Sequence, residues 1–131
     1  YSYRCKSVLF KCGSRNHFNK KGIIMNDLKV RLKAEIMSYF DECEVSIFAV
    51  AGANYYETLG RCIKGFCVLS NILDVFNRSR MRKTDVLRLC YQYCVCARWE
   101  LLCAVNGSTD IKTSIINANS FCEKALSILC D

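Results

Sequence analysis

The chain has 131 residues, 52% of them hydrophobic, with a mean hydropathy of +0.09 and a formal net charge of +7. That length supports a single domain with its own core, and the absence of any run of about 18 uncharged apolar residues excludes a membrane-spanning segment from the sequence pattern. The charge is uneven: residues 1–33 carry nine Lys and Arg against Asp27 alone, net +8, while residues 34–131 carry ten against eleven Asp and Glu, net −1. A basic N-terminal segment (1–26) therefore precedes a nearly neutral body (27–131) in a chain read as one helical domain.

In chain order, residues 2–12 fit a short helix through Cys5, Val8, Leu9 and Cys12, and Gly13 to Gly22 reads as a polar basic loop. Asn26 is placed to cap a helix over 27–48 whose inward positions are Leu28, Leu32, Ile36, Phe40, Cys43 and Ile47. Its apolar end, Val45 to Ala53, reads as helical continuation rather than a short strand, broken at Gly52. Asn54-Tyr55-Tyr56-Glu57 forms a capping box that opens a helix to residue 77, with a stripe through Leu59, Cys62, Ile63, Phe66, Leu69, Leu73 and Phe76. Gly60 and Gly65 weaken that helix by about 1 kcal/mol each relative to Ala and permit close approach of a neighbour.

Residues 84–106 are apolar almost all round, the pattern of a buried central helix, and place the sole tryptophan, Trp99, in the core or a seam. Gly107 suits a left-handed helix end, and Ser108 or Thr109 suits the next cap. The last segment repeats Ile111, Ile115, Ala118, Cys122, Ala125 and Leu129 at spacings of four and three, one face of a helix. No proline interrupts any of these segments. The fold expected is all-α: four main helices in one bundle, a short N-terminal helix, and disulfide cross-links.

The cross-links are expected from eleven cysteines: Cys5, Cys12, Cys43, Cys62, Cys67, Cys90, Cys94, Cys96, Cys103, Cys122 and Cys130. No Cys-x-x-Cys occurs, and the close spacings never repeat as a matched pair, so neither a zinc finger nor a thioredoxin-type site is indicated. The only histidine, His17, follows Cys12 by five residues and lacks two further ligands, so no metal is expected. Cys90, Cys94 and Cys96 share one predicted helix, where disulfide geometry disfavours joining them to each other. Their partners would lie on other elements, and the odd total leaves one thiol for a bridge to a second chain. The competing reading treats the cysteines as small buried hydrophobes.

Oxidation is favoured by a start at Tyr1-Ser2-Tyr3 without methionine, as in a processed secreted chain, and by sequons at Asn77 and Asn106 in predicted loops. Basic clusters at Lys11, Arg15, Lys20 and Lys21 and at Arg78, Arg80, Arg82 and Lys83 suit an anionic partner, with Phe18 beside His17 as a stacking residue.

Catalytic chemistry is not indicated. His17 with Cys12 is an isolated nucleophile–base pair, and Asp41, Glu42 and Glu44 read equally as a solvated helix face. No phosphate-binding loop, dinucleotide fingerprint or nucleophile elbow occurs. The sequence therefore favours a secreted, disulfide-rich protein, not an enzyme, without cofactor, that binds a protein partner or copies of itself. An intracellular, reduced, nucleic-acid-binding accessory protein of the cytoplasm is the alternative, and a carrier of small apolar ligands the third reading.

Overall fold

The computed structural model describes residues 21–79 and 84–130, with side chains from residue 27 onward. Five helices make up this part: α1 (Lys21–Glu42), α2 (Ile47–Ala51), α3 (Tyr55–Arg78), α4 (Asp85–Val105) and α5 (Ile111–Cys130). The four long helices pack along the edges α1–α3, α3–α4, α4–α5 and α5–α1, which closes a bundle, while α2 leans on α5. Cross-helix contacts fix the directions. Arg98 donates to Ser70 Oγ at 3.4 Å and Tyr91 meets Phe76 edge-on at 5.3 Å, so α3 and α4 are antiparallel. Asn117 donates to Glu100 at 3.3 Å and Tyr93 stacks near Phe121, so α4 and α5 are antiparallel too.

Each long helix contributes one buried stripe at spacings of three and four, which is what an amphipathic helix must bury. On α4 the stripe is Leu87, Cys90, Cys94, Ala97, Leu101 and Ala104; on α5 it is Ile111, Ile115, Ala118, Cys122, Ala125 and Leu129, the six positions expected from the sequence. The expected stripe of α3 is rotated by part of a turn: Cys62, Leu69, Leu73 and Phe76 are buried, whereas Leu59, Ile63 and Phe66 are only half-buried. Thr58, Gly65, Val68 and Ile72 complete the inward face. Gly65 lies there because a Cβ would stand 2.9 Å from both Leu101 Cδ1 and Tyr39 Cε1. The close neighbours are side chains, and no comparable crowding surrounds Gly60.

Trp99 is 62% exposed and not in the core. The buried face of α4 already passes through Ala97 and Leu101, so residue 99 falls on the opposite side. Helix α1 already includes Lys21 and Gly22, so these residues are helical and not part of a loop, and the helix does not wait for Asn26 as a cap. It ends at Glu42 because Glu44 adopts φ 51° and Ser46 is extended and caps α2, accepting from Ala49 N at 3.2 Å. Asp41 and Glu44 therefore do not share a helix face. Gly107, at φ 79°, ends α4 as expected. The cap of α5 is Asp110 rather than Ser108 or Thr109: its carboxylate accepts from Thr113 N at 3.0 Å and Thr113 Oγ1 at 2.9 Å. Those two bonds hold the Asp110 carboxyl below its ordinary titration range. The helix and loop expected over 2–20, with Cys5 and Cys12, lie outside the described residues.

One buried polar relay crosses the bundle. Tyr39 is fully buried on α1 and its hydroxyl donates to Asn119 Oδ1 of α5 at 2.9 Å; Asn119 Nδ2 donates to the Val45 carbonyl at 2.6 Å. The relay ties the turn after α1 to α5 and satisfies a backbone acceptor that leaves the helix ladder. Among the described residues no helix is long and apolar enough to cross a membrane.

Candidate functional site

The cysteines divide by environment. Cys43, Cys62, Cys90, Cys94 and Cys122 are buried, contributed by four of the helices or their ends; Cys43, Cys62 and Cys122 lie near Tyr39, and Cys90 lies near Cys94 and Cys122. Burial pushes the Cys62 thiol up to about 11. A hydrogen bond with Cys90 and then burial raise Cys94, and burial raises Cys122. Buried, protonated thiols are poor nucleophiles and pack as small apolar groups. Cys67 and Cys103 are half-buried, and Cys96 and Cys130 are exposed. Among the described residues the nine cysteines are thiols with no disulfide, and no group of three His, Cys, Asp or Glu side chains is arranged to hold a metal.

Of the candidate basic residues, only Lys21 and Arg78 are among the described residues. Arg78 ends α3 with its guanidinium 3.0 Å from Asp74. Lys21 opens α1, and Lys11, Arg15, Lys20, Arg80, Arg82 and Lys83 lie outside the described residues, as do His17 and Phe18. Asn77 and Asn106 are both exposed. Asn106 caps α4 at the loop as expected, whereas Asn77 stands in the last turn of α3 and not in a loop.

A different region stands out at the corner formed by α2 and the start of α3. Phe48 is 91% exposed and Tyr56 81% exposed, with Ile47 and Tyr55 also on the surface. Tyr55 and Tyr56 meet edge to face with centroids 5.5 Å apart. Four large apolar side chains on ten consecutive residues, all facing water, are the informative kind of exposure. Their orientation follows from local structure. In the five-residue α2 only Val50 is buried, so the first turn points Ile47 and Phe48 outward. The capping box then sets the start of α3: Asn54 Oδ1 accepts from Glu57 N at 2.8 Å, and Thr58, fully buried, donates to the Asn54 carbonyl at 2.7 Å. Thr58 inward fixes Tyr56, two residues before it, outward.

The corner is rigidly built around Arg61. Its guanidinium donates to the Ala49 carbonyl at 2.9 Å, and its other terminal nitrogen stands 3.4 Å from Glu44 and 4.0 Å from Glu57. One side chain thus joins the turn after α1, the end of α2 and the first turns of α3. Lys64 donates to the Glu42 carbonyl at 3.4 Å. Beside these contacts lies an open cleft of about 580 Å³, lined by Glu42, Cys43, Glu44, Glu57, Gly60, Arg61, Ile63 and Lys64. The cleft carries three carboxylates, Glu42, Glu44 and Glu57, against Arg61 and Lys64, with Arg61 paired to Glu44 and Glu57.

The corner is hidden in the sequence because Val45 to Ala53 reads as the continuation of a helix with Ile47 facing inward. The available signal was Ser46, a cap residue in front of a segment too short to bury Ile47, Phe48 and Val50 on one face. The chain matches no protein-family model, no curated protein and no solved structure.

Proposed function

We propose that this protein works by binding another protein, not by catalysis, and that the α2–α3 corner is the contact surface. The observation that carries this reading is the exposure of Phe48 and Tyr56 on a framework held by Arg61 and the Asn54–Glu57 capping box. Aromatic side chains on a rigid support are what interface centres use, because they bury much area at small entropic cost. The charged lining of the cleft, Glu42, Glu44, Glu57, Arg61 and Lys64, supports recognition of a polar or charged segment over an apolar small molecule. The acidic excess favours a partner segment that is basic with an apolar anchor.

Export to an oxidising compartment belongs to the same proposal. It is supported by the two exposed asparagines of the sequons and by Cys96 and Cys130 at the surface, where a thiol can reach a second chain. In that form the buried thiols pack the core and the surface ones form bridges between chains.

Selection of displayed random peptides on the folded protein tests the corner. Enriched peptides are expected to combine Lys or Arg with a large apolar residue and to lose binding to a Phe48→Ser, Tyr56→Ser variant of unchanged circular dichroism. Peptides that bind both proteins equally would remove the corner from the account. Intact mass of the native secreted protein before and after thiol alkylation tests the oxidised form; a monomer with eleven reactive thiols after denaturation would exclude it.

A further inference from the structure

The face of α4 opposite the core forms a second apolar surface, separate from the corner. Leu89, Gln92, Cys96, Trp99 and Cys103 follow one another at spacings of three, four, three and four, the repeat of a helix-pairing seam. Trp99 is 62% exposed, Leu89 is 39% exposed, and Gln92 and Cys96 are exposed. The flanks of α4 are occupied on both sides. Arg98 reaches α3, lying 5.7 Å over the Phe66 ring, and Glu100 takes Asn117 of α5. The seam is therefore a ridge between two filled grooves, and among the described residues nothing covers it.

We propose that this ridge is where a second copy of the chain docks, α4 against α4 about a two-fold axis near the middle of the helix. Three features select a second copy. The charged residues of this face, Asp85 and Arg88, lie in the first turn of α4, and a two-fold axis near the middle of the helix keeps each far from its own copy, so two copies meet without opposing like charges. A two-fold contact uses one patch twice, and a seam running almost the whole of α4 can fill itself in that way. The area is also of the right order. With side-chain areas of roughly 150–250 Å² for the largest residues, the exposed parts of Arg88, Leu89, Gln92, Cys96 and Trp99 bring about 900 Å² in total from two copies. That lies between typical lattice contacts and a standard stable interface, as a reversible dimer requires. Cys96 stands next to Val95, the midpoint of α4, so the axis brings the Cys96 thiols of the two copies close together.

Trp99 is the only tryptophan, so its fluorescence reports this face alone. In reducing buffer, raising the concentration from about 10 µM to about 1 mM is expected to shift its emission to the blue as sedimentation shows the mass doubling. Trp99→Asp should leave a folded monomer over the same range, at least tenfold weaker in association. Phe48→Ser should dimerise like the wild type, which separates this face from the corner. A Cys130→Ser protein treated with oxidised glutathione should form a covalent dimer. The two Cys96 thiols pass two electrons and two protons to the glutathione disulfide, which leaves as two reduced thiols; Cys96→Ser abolishes the product while keeping the reversible dimer. Unshifted emission from a monomer at all concentrations would overturn the proposal. So would blue emission from a monomer, which would mean another part of the same chain covers the ridge, and so would a dimer that survives Trp99→Asp.

Discussion

Substituting the two glycines of α3 by alanine separates close packing from helix propensity. Both lie inside the same helix, so each Gly→Ala change adds roughly 1 kcal/mol of intrinsic helical preference. Around Gly60 nothing stands within 4 Å of the new methyl group, and the full gain is expected. At Gly65 the methyl would sit 2.9 Å from Leu101 Cδ1 and from Tyr39 Cε1, against about 3.5–4.0 Å for a relaxed carbon contact. The Tyr39 ring cannot swing aside cheaply, because its hydroxyl is anchored to Asn119, which in turn holds the Val45 carbonyl. Overpacking of this kind costs about 1–3 kcal/mol, which offsets the propensity gain and leaves Gly65→Ala at about 0–2 kcal/mol destabilised. The two variants should therefore differ by about 1–3 kcal/mol, measured as midpoints of urea unfolding followed by circular dichroism. If Gly65→Ala stabilises the protein as much as Gly60→Ala, the close contact of α1, α3 and α4 around Tyr39 is refuted.

Replacing Asn119 by Ala should cost about 2–6 kcal/mol in the same assay, since it strands both the Tyr39 hydroxyl and the Val45 carbonyl, each at about 1–3 kcal/mol; a loss below about 1 kcal/mol would mean that water replaces the relay. Alkylation of the native, reduced protein should label Cys96 and Cys130 well before Cys43, Cys62, Cys90, Cys94 and Cys122, as peptide mapping by mass spectrometry would show. Cys62, Cys94, Cys122 and Tyr39 have raised titration ranges, so the fold holds their protons more tightly than the unfolded chain does. Stability should be flat below the ordinary thiol range and fall as pH rises through it toward about 11, where Cys62 ionises in the fold. An unfolding midpoint unchanged from pH 8 to about 11 would contradict that burial. Asp110 acts in the opposite sense: its carboxyl titrates low in the fold, so its cap is present at neutral pH and lost on acidification, and Asp110→Ala should speed amide exchange in the first turn of α5.

Much of the bundle was legible because a helix that buries one face must repeat its apolar residues with the helical period. The six inward residues of α5 stand in the sequence at spacings that no strand or loop would produce, and Asn54 with Glu57 marks the start of α3 by a local hydrogen-bond exchange. Of the two positions open to Trp99, core or seam, the core is excluded for a definite reason. α4 is apolar on both sides, so its composition does not say which side faces the core; that choice is made by Gly65, Leu101 and Tyr39 coming together from three helices. The end of α1 was hidden in the same way, since the turn at Glu44 is supported by Asn119, a residue far away in sequence. The candidate site was less legible than the fold. Exposure of Phe48 depends on α2 being only five residues long, and the framework under it depends on Arg61 reaching three separate segments. Cysteine count suggested cross-links, but count does not distinguish a thiol that packs against Tyr39 from one that faces water.

Binding through the α2–α3 corner is tested most directly by the affinity of a selected basic, aromatic-anchored peptide for the wild type and for Phe48→Ser, measured by titration calorimetry on proteins of equal unfolding midpoint. A buried aromatic anchor contributes about 2 kcal/mol or more, so the substitution should weaken binding roughly 30-fold, with further weakening of the wild-type complex at high salt. Equal affinity of the two proteins would contradict the account.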